Sequence, residues 1–202
     1  MKRYTYILFV LMIAFVAGCS SEKQANQNKE KEDKTNEQVD VDKGLLSVKL
    51  TLPASMFEGQ DIDQVIADAK NEGIEVTKNQ DGSLTYKMSK AQHKKMMKEM
   101  KENIVKNVEE TKNSKDYASI KDITYNDDIS EFTVEVDKAA YENSMDGFVA
   151  LGLGMSGMMY QLFNGVDPNH YKVTIYIKDQ ASQKVFDQIV YPDALKEKSN
   201  QQ

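Results

Sequence analysis

The sequence predicts an α+β fold: an antiparallel sheet of about seven strands, built from hairpins, with three helices in the order β-α-ββ-α-ββ-α-ββ. Three observations predict it. Apolar and polar residues alternate in several short runs, other segments repeat apolar residues at helical spacing, and the strand-like runs come mostly in pairs joined by turn-forming residues. Repeated hairpins with intervening helices favour an antiparallel sheet covered on one face.

The elements follow in chain order. Leu46, Val48, Leu50 and Leu52 alternate with Ser47, Lys49 and Thr51 and stop at Pro53, a half-buried strand. Ile62, Val65, Ile66 and Ala69 mark a helix, and Gly73 stands where a C′ residue is expected. Ile74 to Thr77 and Leu84 to Met88 flank Asn79-Gln80-Asp81-Gly82-Ser83, a hairpin with a Gly-containing loop. Ser89 and Gln92 fit a capping box that opens a long helix, whose apolar stripe is Met96 or Met97, Met100, Ile104 and Val108. Ile120 to Tyr125 and Ile129 to Val136 flank Asn126-Asp127-Asp128, a second hairpin. Asp137 can cap a third helix, running to about Asn164 and followed by Gly165. Tyr171, Val173, Ile175 and Ile177 alternate again, and after a turn near Asp179 to Ser182 the run Val185 to Tyr191 gives a final strand.

Upstream of these elements the chain changes character. Lys2 and Arg3 precede an apolar run from Ile7 to Ala17, too short to span a bilayer comfortably. Ala17-Gly18 then stands directly before Cys19, the only cysteine of the chain. This arrangement resembles the lipobox signal peptide of bacterial lipoproteins. The resemblance implies cleavage between Gly18 and Cys19, an S-diacylglycerol on the Cys19 thiol, and a freed amine open to acylation. It places the protein at the cell membrane, lipid-anchored on the extracytoplasmic face. With Cys19 capped, no thiol is left for a disulfide.

Residues 1–18 are thus expected to be a signal peptide, and 19–43 the lipidated cysteine with a flexible polar tether. Residues 44–195 are expected to form a single α+β domain, and 196–202 a frayed tail. The tether has no aromatic residue and few apolar ones, too little to offset the entropy of ordering it. Ser20-Ser21-Glu22-Lys23 is a literal S-x-x-K match, but it lies in this tether and lacks a buried, preorganised site. The whole chain carries 26 basic and 32 acidic residues, net −6; without Lys2 and Arg3 the balance is 24 against 32, or −8. An acidic chain argues against nucleic acid as a partner and against electrostatic adhesion to anionic lipid, so acyl chains are the expected main membrane contact.

The domain also resembles a family of small uncharacterised lipoproteins of low-GC Gram-positive bacteria. The matching segments are GLLSVKLTLPASMFEG (44–59), DGSLTYKMSKAQHKKMMKEM (81–100) and ITYNDDISEFTVEVD (123–137). The resemblance implies no activity.

Possible sites each have a plainer reading. His93, Met96, Met97 and Met100 share neighbouring parts of one helical face and are soft ligands suited to Cu(I). As methionines on an amphipathic helix they read first as core filler, with His93 in an exposed first turn. Gly152-Leu153-Gly154-Met155-Ser156-Gly157 matches G-x-G-x-x-G, but inside an apolar segment rather than between a strand and a helix start. Asn126-Asp127-Asp128 lacks the ligands and Gly of a calcium loop and reads as a turn. His170 follows Asp167-Pro168-Asn169, and two histidines without H-E-x-x-H make zinc improbable. Tyr171, Tyr176 and Tyr191 read as sheet residues.

The stretch Gly147 to Val166 carries no charge and five glycines. It reads as a buried helix whose glycines admit close backbone approach; a membrane segment or the wall of an apolar groove are the alternatives. No catalytic, cofactor or metal-binding residue is expected. The function expected is a non-enzymatic envelope lipoprotein that binds another envelope component, such as a protein. The alternative is a small-ligand or lipid carrier with a pocket lined by the Gly-rich helix 145–164.

Overall fold

A computed structural model describes residues 39–167 and 170–195. Two compact units divide the chain, one ending at His93 and one beginning at Lys94. The described fold is α+β with two four-stranded sheets, rather than one sheet of about seven strands. Cys19, the expected signal peptide and most of the expected tether lie outside the described residues, as do 196–202.

The first unit contains β1 (Asp40–Lys43), β2 (Ser47–Leu52), α1 (Ile62–Asn71), β3 (Glu75–Lys78) and β4 (Leu84–Ser89), with strand order β1-β2-β4-β3, all antiparallel. β1 is the strand that raises the count, and it occupies the last residues of the stretch read as tether. It forms because β2 offers it a complete ladder from Asp40↔Thr51 to Lys43↔Val48, and because Val39 just before it is buried. Val48, Leu50 and Leu52 face the core and sit opposite Met88, Tyr86 and Leu84. Leu46, read as the first core residue of this strand, lies instead in the β1–β2 turn and is exposed.

Local chemistry fixes the remaining ends. The Asp61 carboxylate accepts from the N–H groups of Asp63 and Gln64 at the start of α1. At its other end Gly73 has φ +75°, donating to Lys70 O (2.9 Å), while Ile74 donates to Ala69 O (3.0 Å). These two bonds make a Schellman motif, with glycine at the position that needs a left-handed backbone. The capping box forms as expected: Ser89 N–H donates to Gln92 Oε1 (2.8 Å), and Gln92 N–H to Ser89 Oγ (3.1 Å).

Burial pushes the Tyr86 hydroxyl up to about 12 from an ordinary 10.0. A raised value means the folded state favours the neutral phenol. That contribution is complete below pH 10.0 and is lost as pH rises towards 12. Tyr86→Phe has no such proton to lose, so its stability relative to the natural protein is expected to rise across this window. Urea denaturation at stepped alkaline pH measures the difference; a constant difference would remove Tyr86 as its source.

The second unit holds most of α2 (Lys90–Asn113), then β5 (Ile120–Tyr125), β6 (Glu131–Val136), α3 (Lys138–Glu142), α4 (Phe148–Phe163), β7 (Val173–Asp179) and β8 (Val185–Tyr191). Its sheet runs β5-β6-β7-β8, with β6 and β7 parallel and the other pairs antiparallel. The parallel pair departs from the expected all-antiparallel sheet. Two helices lie between β6 and β7 in sequence, and a helical crossover is the connection that parallel neighbours require. The core gathers Ile104 and Val108 of α2, Ile123 of β5, and Phe132, Val134 and Val136 of β6. Val173, Ile175 and Ile177 of β7 and the inner side of α4 complete it.

The expected helix from Asp137 to Asn164 is two helices. Asp137 caps the first, accepting from Ala140 N–H (3.1 Å). Between them Asp146 turns inward and accepts from the backbone N–H (2.9 Å) and the hydroxyl of Ser119. A carboxylate committed to that contact takes the backbone out of the helix, and Asn143, Ser144 and Gly147 around it are weak helix formers.

Candidate interaction surface

Gly154 and Gly157 set the position of α4. A Cβ at Gly154 would fall on the Tyr191 ring, and one at Gly157 would lie 2.6 Å from Ile129 O and 3.0 Å from a Val173 methyl. The close approach expected of these glycines is therefore present, and both are packed rather than lining open space. Gly152 differs: a Cβ there would meet nothing within 4 Å. Ala150, Leu153, Met158 and Gln161 complete the inner side, where Gln161 donates to Lys172 O (2.9 Å).

The outer side of α4 carries Phe148, Gly152, Met155 and Met159, spaced by four, three and four residues. Phe148 is exposed, as is Met145 just before the helix, and the two methionines of the stripe are half-buried. This side is apolar without charge, and it is the candidate interaction surface of the second unit. Among the described residues, no helix is long and apolar enough to cross a membrane.

An open cleft of about 350 Å³ lies between α3 and the β7–β8 turn, lined by Asp137, Lys138, Ala139, Glu142, Asp179, Gln180 and Ala181. Four of its polar side chains, those of Asp137, Lys138, Glu142 and Asp179, are already engaged. Asp137 caps α3, and Lys138 lies 3.7 Å from Glu142 and over the Phe186 ring. Asp179 accepts from the Ser182 hydroxyl and N–H, and these bonds hold its carboxyl below the usual range.

The other sequence candidates among the described residues follow their plainer readings, with two corrections. His93 is buried rather than exposed, as is Met97, while Met96 and Met100 are half-buried. The G-x-G-x-x-G run lies wholly inside α4, with no strand leading into it. Asn126 Oδ1 accepts from the N–H groups of Ser130 (2.9 Å) and Glu131 (3.1 Å), and Asp127 pairs with Lys101 (3.3 Å), so the segment is a hydrogen-bonded turn. His170 is exposed, 3.5 Å from the Asp167 carboxylate. Tyr191 ends β8 as a sheet residue, whereas Tyr171, read as one, lies two residues before β7; burial raises both above the ordinary tyrosine value. No group of three or more His, Cys, Asp or Glu side chains among the described residues could hold a metal ion.

In the first unit the outlying feature is the β1–β2 turn. Leu45 is 93% exposed and Leu46 88%, where the alternating pattern had placed Leu46 in the core. Alternation alone could have found Leu45, since of two consecutive leucines in a strand one must face outward; Leu46 falls on the inward side of that pattern and is exposed only because it lies in the turn.

The model of the adhesin P1 N-terminal domain family matches residues 41–148, just over half of the 202-residue chain. The chain belongs to the adhesin P1 N-terminal domain family. The match runs from β1 to the first residue of α4 and contains all three segments that resemble small lipoproteins. Membership in an adhesin family fits an extracytoplasmic surface protein and an interaction role. No curated protein and no solved structure matches the chain.

Proposed function

We propose that this adhesin-family chain is a lipid-anchored, non-enzymatic interaction module of the cell envelope. Acyl chains on Cys19 hold it to the extracytoplasmic face of the membrane, residues 20–38 tether it, and α4 presents the contact surface for another envelope protein. The family match carries the interaction reading. The Gly18-Cys19 arrangement carries the anchor, because two acyl chains at roughly 0.8 kcal/mol per buried methylene hold a protein lastingly where one chain does not. The uncharged outer side of α4, with Phe148 exposed beside Met145, carries the choice of surface. The packing around Gly154 and Gly157 gives a lipid-carrier pocket at those glycines no support.

Photo-crosslinking in cells from Phe148, alongside palmitate labelling, tests both halves. The natural chain is expected to incorporate palmitate and to give a discrete crosslinked partner. Cys19→Ala is expected to lose the label and to stay unprocessed at Gly18. Continued acylation of Cys19→Ala overturns the anchor, and a partner captured no better from Phe148 than from Glu110, exposed on α2, overturns the surface.

A further inference from the structure

We infer that the β1–β2 turn is a second membrane contact, with Leu45 and Leu46 seated at the lipid surface to which Cys19 is anchored. The inference rests on the lipid-anchor reading and adds to it a defined point of the folded protein. Single exposed leucines are ordinary. Here two adjacent ones stand almost wholly in solvent, while the next apolar residues of β2, Val48, Leu50 and Leu52, are buried. The turn is also held firmly, since the ladder reaches its base at Lys43↔Val48. The leucines are thus presented outward by a paired strand rather than left loose.

Two further observations select a lipid surface as the occupant. The first is charge. From Lys43 to Lys49 the sequence reads Lys-Gly-Leu-Leu-Ser-Val-Lys, two cations and no acid, in a chain of net −6. Lys43 and Lys49 are both exposed. Apolar side chains at the headgroup boundary with lysines beside the lipid phosphates are the composition of an interfacial contact. Asp42 stands opposite Lys49 in the ladder, so the turn with its base is close to neutral rather than acidic, and the acidic overall charge does not argue against contact at this one point. The second is chain length. Nineteen residues, 20–38, separate Cys19 from Val39, and a coil of that many residues has an r.m.s. reach of roughly 25 Å. β1 carries the chain only about 13 Å further to the turn. A tether of that length keeps the turn close to the bilayer at high effective concentration, so shallow insertion of two side chains suffices.

The chain contains no tryptophan, so Leu46→Trp introduces a single reporter. The full-length lipidated protein is placed on vesicles of phosphatidylglycerol and phosphatidylethanolamine, with and without brominated acyl chains. Leu46→Trp emission is expected to shift to the blue and to lose intensity when the chains are brominated. Val185→Trp, at an exposed position of β8, is expected to show neither change. Flotation with the vesicles but solvent-like, unquenched Leu46→Trp emission overturns the inference, and is the outcome if the leucines serve a protein pocket instead. Equal quenching of Val185→Trp also overturns it, since the contact would then not belong to the turn. A chain that fails to float at all overturns the Cys19 anchor together with the contact built on it.

Discussion

Gly157→Ala is expected to destabilise the second unit by about 3 kcal/mol, the upper part of the range for overpacking a closed core. The new methyl would lie 2.6 Å from Ile129 O and about 3 Å from both Val173 methyls. Neither neighbour has room to retreat. Val173 and Ile129 are fully buried, and the Ile129 backbone is pinned in a left-handed turn at φ 53°. Asn126 holds that turn from both sides, its carbonyl accepting from Ile129 N–H and its side chain from Ser130 and Glu131. Gly154→Ala meets the Tyr191 ring down to its root at Cγ (2.8 Å), and that side chain is buried in the core with no room to swing away, so its expected cost is of the same order. Gly152→Ala is expected to change sign. Its Cβ enters open space, and replacing a mid-helix glycine gains about 0.5–1 kcal/mol. Urea unfolding of the three variants checks the order; equal effects at Gly152 and Gly157 would mean that helix propensity, not close packing, governs α4.

The same contrast shows how much of the molecule was legible in sequence. The long uncharged stretch announced a buried helix, and the capping box at Ser89 and Gln92, the Gly73 cap and three hairpins were readable because each depends on neighbours only a few residues away. The division into two sheets was not. Alternation reports which side chains face a core, not which core, and β2 and β6 carry the same signal while belonging to different sheets. The parallel pairing of β6 with β7 is likewise a matter of the path between them. Among the site candidates, the turn at Asn126 and the burial of Gly154 and Gly157 were local and legible. The burial of His93 and the exposure of Leu46 were not, because a position near the end of an element takes its surroundings from tertiary packing. The interaction role itself entered through the family match, since an apolar helix side has no motif to announce it.

Asp146 is the clearest case of a long-range contact overriding a local pattern, and Asp146→Ala is expected to cost about 2–3 kcal/mol, the penalty for leaving buried donors without an acceptor. Ser119 is 1% exposed, so water cannot replace the carboxylate that now accepts from both its N–H and its hydroxyl. Ser119 O in turn accepts from Asp137 N–H (2.8 Å), which links the start of β5 to the cap of α3. Loss of the carboxylate should therefore loosen both the α3–α4 junction and the entry to β5. Asp146→Asn keeps one acceptor oxygen and is expected to recover part of the loss. Ser119→Ala removes the hydroxyl but keeps the backbone N–H, so adding it to Asp146→Ala should cost little more than Asp146→Ala alone. Amide exchange at Ser119 and chemical denaturation of the natural protein, the three single variants and the double variant measure this coupling. Strict additivity would show that the two residues act separately and that the break between α3 and α4 has another cause.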